Sequence, residues 1–113
     1  MQNNKKEAPA KIVFEDENTI AIVPIEEVSE GHTLVIPKKH SENIFDIDKE
    51  TLKEIIVTAK DLSVSKMKEL GCTGINLLHA SGKDAQQSVF HFHLHIVPRY
   101  ENDGLDLWLR EKL

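Results

Sequence analysis

Two short β-branched runs flank Asp16-Glu17-Asn18, which predicts a hairpin of Lys11–Glu15 and Thr19–Val23 closed by a turn. Pro24 ends the second strand or marks a sheet edge. After a polar connection from Glu26 to Gly31, His32–Ile36 reads as a third strand stopped by Pro37. Ser41 has the chemistry of an N-cap for a short helical turn over Glu42–Phe45, and Asp48 that of a cap for a longer helix. In that helix Leu52, Ile55, Ile56, Ala59 and Leu62 follow the spacing of one apolar stripe. Met67 and Leu70 continue the stripe, Gly71 supplies the stop, and packing against a sheet accounts for it. Thr73–Leu78 reads as a fourth strand, Ser81–Asp84 as a turn, and Val89–Val97 as a fifth strand ended by Pro98. This order predicts an α+β domain with a mainly antiparallel sheet. Residues 1–10 read as a loose arm before a single domain over 11–113, whose tail carries Trp108 and Leu109 and so docks on something.

Composition narrows the function classes. A chain of 113 residues, 40% apolar and 29% charged, fits one soluble domain with its own core. A net charge of -5 disfavours a nonspecific nucleic-acid binder. The single cysteine, Cys72, excludes an internal disulfide or a multi-cysteine metal site and fits a reducing cytoplasm. There is no run of 18 apolar residues to span a membrane, and the polar start does not resemble a secretory signal.

The chemistry concentrates in His91-Phe92-His93-Leu94-His95-Ile96. On a strand, alternate side chains share a face, so His91, His93 and His95 point one way and Phe90, Phe92, Leu94 and Ile96 the other. One metal does not reach all three imidazoles, because His91 and His95 stand about 13 Å apart at ~3.3 Å per residue. Acid–base or nucleophilic work at phosphorus fits better: one neutral imidazole attacks while a neighbour donates to negative charge. The bland alternative is a solvated polar face or a network of satisfied histidines, and three imidazoles on one face beside Gln86-Gln87-Ser88 weigh against it.

The stretch from Gln87 to Arg99 resembles the signature of the histidine triad (HIT) family, His-φ-His-φ-His-φ-φ with φ apolar. Gly31-His32-Thr33-Leu34-Val35-Ile36-Pro37-Lys38-Lys39-His40 is similar to a second block of that family, and the hairpin start at Lys11 to Asp16 to a third. The resemblance implies a HIT-like fold with a five-stranded sheet, one long and one short helix, and a homodimer whose sheets join. It implies cleavage of a nucleotidyl–X bond, in a phosphoramidate or a phosphoanhydride, through a nucleotidyl-histidine intermediate, with a purine nucleotide as substrate or product. Carried over to this chain, His93 is the nucleophile, His95 holds the phosphoryl oxygens, and His91 and His32 orient the array. Ser88 sits near the leaving group, Gln87 in the phosphate loop, and Phe14 and Ile25 line the base pocket.

The chain departs from the family pattern in several places. No Cys-x-x-Cys precedes the domain, and His40 with His91 supplies two ligands, which do not close a zinc site; no metal or other cofactor is expected. The family's ribose-binding Asp is replaced by Pro24, its Asn or Gln by Ala80, and its Gly in the phosphate loop by Gln86. His79 or Ser81, beside Ala80, stands in for the lost contact. These changes keep open a second class, a HIT-like nucleotide-binding module with little turnover. A small metal-binding barrel is a third, opposed by the long helix and by only five glycines.

Overall fold

The computed structural model describes residues 11–110, so the expected arm at 1–10 lies outside the described residues. Within them, five strands, β1 (Lys11–Glu15), β2 (Thr19–Val23), β3 (Thr33–Pro37), β4 (Gly74–Leu78) and β5 (Leu94–Arg99), form one antiparallel sheet in the order β1-β2-β3-β5-β4. One helix, α1 (Lys49–Glu69), covers one face, and a single 3-10 turn, η1 (Lys83–Ala85), interrupts the β4–β5 connection. The α+β reading therefore holds, with the short helix at 83–85 rather than at 42–45. Residues 43–46 form a turn instead: the Asp46 carboxylate accepts from the Glu42 and Asn43 N–H groups and Asn43 Oδ1 from Phe45 N–H. Side chains that satisfy their own backbone compete with helix in this way. Ser41 is buried and caps nothing; its carbonyl accepts from Phe92 N–H.

The strand pairings assign the two faces. Ala21 lies opposite Val35, Val35 opposite Leu94, and Thr33 opposite Ile96. Ala21, Val35, Leu94 and Ile96 form the buried core with Phe92 of the approach to β5 and Ile55 and Ala59 of α1. On the other face Ile22, Leu34, His95 and Leu78 form a row across β2, β3, β5 and β4. The long helix begins as expected, with Asp48 accepting from Thr51 N–H, and buries Ile55, Thr58 and Ala59, with Leu52 and Leu62 packed at the margin. Ile56 and Met67, assigned to this stripe by their spacing, are exposed, because α1 turns a narrow strip to the sheet and Thr58 takes the place of Ile56. Leu70 in an extended conformation ends the helix; Gly71 follows it without a positive φ.

The fifth strand is shorter at its start and longer at its end than its apolar pattern predicts. Residues 89–93 approach the sheet without pairing, and Phe90 is exposed rather than core. Pro98 continues β5 opposite Ile75 of β4. The β3 ladder stops at the Thr33–Ile96 pair, so nothing on that side needs a proline N–H. No described helix is long and apolar enough to cross a membrane.

Ile55 has no exposed surface at the centre of this packing, so Ile55→Ala is expected to cost about 2–5 kcal/mol. Urea denaturation checks it: the midpoint should fall with the slope unchanged.

Candidate active site

A cavity of about 300 Å³ opens on the face of the sheet away from α1, and His32, His79, His93 and His95 with Gln86, Gln87 and Ser88 supply its polar lining. β3 and β5 bring His32 and His95 together. Their rings meet with His32 Nε2 and His95 Nδ1 2.9 Å apart. The direction of that hydrogen bond is set one step behind it. Val28 N–H donates to His32 Nδ1 at 3.2 Å, so His32 Nδ1 is the acceptor and its proton sits on Nε2. His32 Nε2–H therefore donates to His95 Nδ1, and the His95 proton is left on Nε2. Gly31 makes the geometry available, since its φ of +89° turns the chain into His32, and a Cβ there would meet Leu70 Cδ1 at 2.5 Å.

His93 carries the opposite polarity. Its Nδ1–H donates to the His91 carbonyl at 2.9 Å, so Nε2 keeps a lone pair. Neither the His93 Nε2 nor the His95 Nε2 has a protein partner among the described residues, and the ring centroids are 5.2 Å apart. One ring thus presents a lone pair and its neighbour an N–H. Burial first, then the neighbouring His93, His32 and His79, lowers the His95 pKa from 6.5 to about 4, so its N–H is that of a neutral ring near pH 7. Burial also lowers His32, opposed by the Glu27 carboxylate.

The structure adds a residue to the site that alternation along the strand does not reveal. His79, just past β4, stacks on Phe92 with ring centroids 4.3 Å apart and donates from Nδ1 to the His93 carbonyl at 3.0 Å. Its Nε2 accepts from the Ser81 hydroxyl, which itself accepts from Ile44 N–H. Ser81 therefore fixes His79 and does not line the cavity, contrary to its expected place among substrate contacts. Gln87 is also differently employed. Its carbonyl oxygen accepts from Gly82 N–H and Asn43 Nδ2, and its amide nitrogen donates to the Glu42 and Val89 carbonyls. With that amide fully engaged, Gln87 shapes the loop over 82–89 and has no hydrogen bond left for a ligand.

A second cavity of about 300 Å³ shares His93 with the first and is lined by Ile22, Leu34, Ile36, Val89 and His91. The residues expected to hold a base are elsewhere. Phe14 pairs with Ala21 and packs on the core, so it lies on the helix-covered face, while Ile25 is fully exposed beyond β2. His91 donates from Nε2 to the Pro37 carbonyl at 2.9 Å and has Nδ1 3.3 Å from His40 Nδ1. No third His, Cys, Asp or Glu joins that pair into a metal-binding group among the described residues.

Comparison with known proteins identifies the family of this chain and bears out its fold. The HIT domain family profile matches residues 5–102. The chain belongs to the HIT family. A 13.1 kDa HIT-like protein of Mesomycoplasma hyorhinis, described as uncharacterized, is 43% identical over 97 residues, 86% of this chain and 87% of that one. A crystal structure of a HIT family protein from Bacillus anthracis superposes with a TM-score of 0.84 at 39% identity, covering 94% of this chain and 76% of that one. A hypothetical histidine triad nucleotide-binding protein from Sulfolobus tokodaii gives a TM-score of 0.80 at 40% identity over 95% of this chain and 72% of that one.

The lowered His95 pKa gives this HIT protein an acid-sensitive fold. Below pH 6.5 the unfolded chain takes up this proton first, so stability is full above that pH, falls on acidification and levels off near pH 4. Melting temperatures across that window should fall less steeply for His95→Gln than for the wild type.

Proposed function

We propose that this HIT protein is a nucleotidyl hydrolase or transferase that passes through a nucleotidyl-histidine intermediate. The observation that carries the reading is the paired polarity of the two free ring nitrogens, a lone pair on His93 Nε2 beside an N–H on His95 Nε2. The relative from Sulfolobus tokodaii, described as a histidine triad nucleotide-binding protein, supports a nucleotide as the ligand. In the first step His93 Nε2 bonds to the α-phosphorus and the P–X bond breaks. The leaving group departs with that electron pair and takes a proton from solvent, with the exposed Ser88 hydroxyl beside it. The new imidazolium keeps its Nδ1–H on the His91 carbonyl, which eases the positive charge. His95 Nε2–H donates to a phosphoryl oxygen, a positioned dipole where charge develops. In the second step water bonds to phosphorus and the P–Nε2 bond breaks. The water proton passes to solvent and nucleoside monophosphate leaves. His79 and His91 touch none of the reacting atoms and act as positioning residues. The apolar cavity of Ile22, Leu34 and Ile36 accepts a purine base, in place of the expected Phe14 and Ile25.

His93→Ala is expected to lower turnover of adenosine 5′-phosphoramidate by roughly 10³-fold or more, with the fold intact by circular dichroism. Acid-free quenching of the wild type during turnover should trap a nucleotidyl adduct visible by mass spectrometry and absent from the variant. Retention of full turnover by His93→Ala rules out the mechanism. The second reading, a nucleotide-binding module with little turnover, draws on Pro24 and Ala80, which offer no side-chain acceptor to a ribose. It is the outcome if calorimetry shows nucleotide binding while no monophosphate forms. We take the protein as a homodimer, for which β4, an edge strand among the described residues, offers backbone groups; light scattering at twice the chain mass checks it.

A further inference from the structure

The hydrogen bond that decides where the His95 proton sits starts on an exposed stretch. Residues 25–28 of the β2–β3 connection are exposed and lie in no strand. Yet the Val28 N–H stays on His32 Nδ1 at 3.2 Å. Burial lowers the His32 pKa, so the ring carries one proton near pH 7 and the variable is which nitrogen holds it. With the Val28 N–H in place, the proton sits on Nε2 and donates to His95 Nδ1. Without it, the neutral ring can put its proton on Nδ1. His32 Nε2 then accepts from His95 Nδ1–H, and His95 Nε2 presents a lone pair where it had an N–H. The 2.9 Å bond between the rings forms either way, so that bond does not select the tautomer.

What holds Val28 is the turn that follows it. His32 N–H donates to the Ser29 carbonyl at 3.2 Å, and Thr33 Oγ1 donates to the Gly31 carbonyl at 2.9 Å. Gly31 lies against Leu70, just past α1, and Pro98 of β5: a Cβ there would stand 2.5 Å from Leu70 Cδ1 and 3.2 Å from Pro98 Cγ. Those contacts are apolar and undirected. Tyr100 supplies a directed one, since its hydroxyl donates to the Glu30 carbonyl at 2.7 Å. Tyr100 is itself fixed. Its N–H donates to Asp103 Oδ2 at 2.9 Å, and Arg99 Nε and Nη2 hold the Asp103 carboxylate, each at 2.9 Å. Arg99 Nη1 in turn donates to Asn76 Oδ1 of β4 at 2.9 Å. A bidentate, partly buried ion pair whose carboxylate also takes backbone donors is a rigid anchor, unlike a surface pair. Beyond that turn Trp108 and Leu109 are exposed, so the tail docks through Arg99 and Asp103 rather than through them. The strand that carries His95 thus ends in the group that ties down the turn controlling the His95 proton.

We propose that Tyr100 is a positioning residue of the site: by holding the turn of residues 29–32 it keeps the Val28 N–H on His32 Nδ1, and thereby keeps the His95 proton on Nε2. This rests on the reading given above, in which His95 Nε2–H donates to a phosphoryl oxygen. Tyr100 touches no reacting atom, and its effect on the reaction passes through the two rings. A lone pair on His95 Nε2 would face that oxygen and repel it as negative charge grows there, so release of the turn lowers kcat more than it raises KM.

The test reads the proton directly and turnover beside it. Long-range proton–nitrogen NMR spectra of protein with isotopically labelled histidine separate protonated from unprotonated ring nitrogens. In the wild type, His32 Nδ1 and His95 Nδ1 are expected unprotonated and His95 Nε2 protonated. Tyr100→Phe keeps the ring and loses one hydroxyl, and should move the His95 signals toward the reversed tautomer. Val28→Pro lacks the N–H itself and should move them further. With adenosine 5′-phosphoramidate as substrate, Val28→Pro is expected to lower kcat by about 10–100-fold and Tyr100→Phe by about three- to tenfold, within the ~10²–10³-fold cost of losing such a donor outright, with KM changed by less than about twofold. The double variant should lose no more than Val28→Pro alone, because the two act in series. If Val28→Pro does not fold, the Tyr100→Phe spectra decide alone. A reversed tautomer in the wild type, a folded Tyr100→Phe with the His95 tautomer unmoved, or losses that multiply in the double variant overturns the proposal. Absence of product from the wild type removes the catalytic reading instead, while the spectra still decide whether Tyr100 holds the proton.

Discussion

Burial of Phe92, Leu94 and Ile96 beneath α1 is the constraint on which the rest of the molecule depends. These side chains sit in the core with Ala21, Val35, Ile55 and Ala59. A one-residue slip would bring the intervening imidazoles into that core and the apolar side chains out of it. Imidazoles in a packed apolar layer would have no partners, so the slip is opposed twice, by lost burial and by unpaired polar groups. The alternation that stabilises the sheet therefore also presents His91, His93 and His95 on the open side. Stability and site placement are here the same interaction.

Once the histidines are on that face, backbone groups decide what each does. Val28 N–H, in the connection between β2 and β3, sets the proton on His32, and through it the proton on His95. The His91 carbonyl makes the opposite assignment for His93. Burial keeps His95 neutral near pH 7, which matters because several imidazolium charges within 5.2 Å of one another would repel. The His91 carbonyl, by taking the His93 Nδ1–H, places the lone pair of a neutral His93 ring on Nε2.

What could be read from the sequence was what repeats: period two in the strands, the apolar stripe of α1, and imidazoles at alternate positions. The strand order, the long helix and the shared face of His91, His93 and His95 follow from those periods, and the Asp48 cap from the residue's own chemistry. What could not be read depends on contacts between distant segments. The family resemblance implies Phe14 and Ile25 as base-pocket residues. The pairing with Ala21 turns Phe14 toward the helix, and the end of β2 leaves Ile25 in solvent. Phe90 continues the apolar alternation, yet the chain has not entered the sheet there and the side chain stays exposed. The resemblance implies Gln87 in the phosphate loop, and Ser81 stands beside the lost Asn or Gln contact as its stand-in. Their hydrogen bonds go instead to Ile44, Glu42 and Asn43, a partnership between loops that no spacing along the chain announces.

The loop at Gln86 shows how those long-range bonds permit a local departure. Gln86 adopts the left-handed conformation, φ 73° and ψ 29°, at the position where the family pattern resembled here has glycine. A residue with a Cβ gives up roughly 1 kcal/mol or more in that region. The neighbouring Gln87 offsets it with four hydrogen bonds that tie Gly82, Val89, Glu42 and Asn43 to one buried amide. The loop's path is thus fixed by a side chain beside the strained residue instead of by the freedom of a glycine. The loop thus holds its left-handed turn without a glycine, and the Gln87 amide serves the loop rather than a ligand.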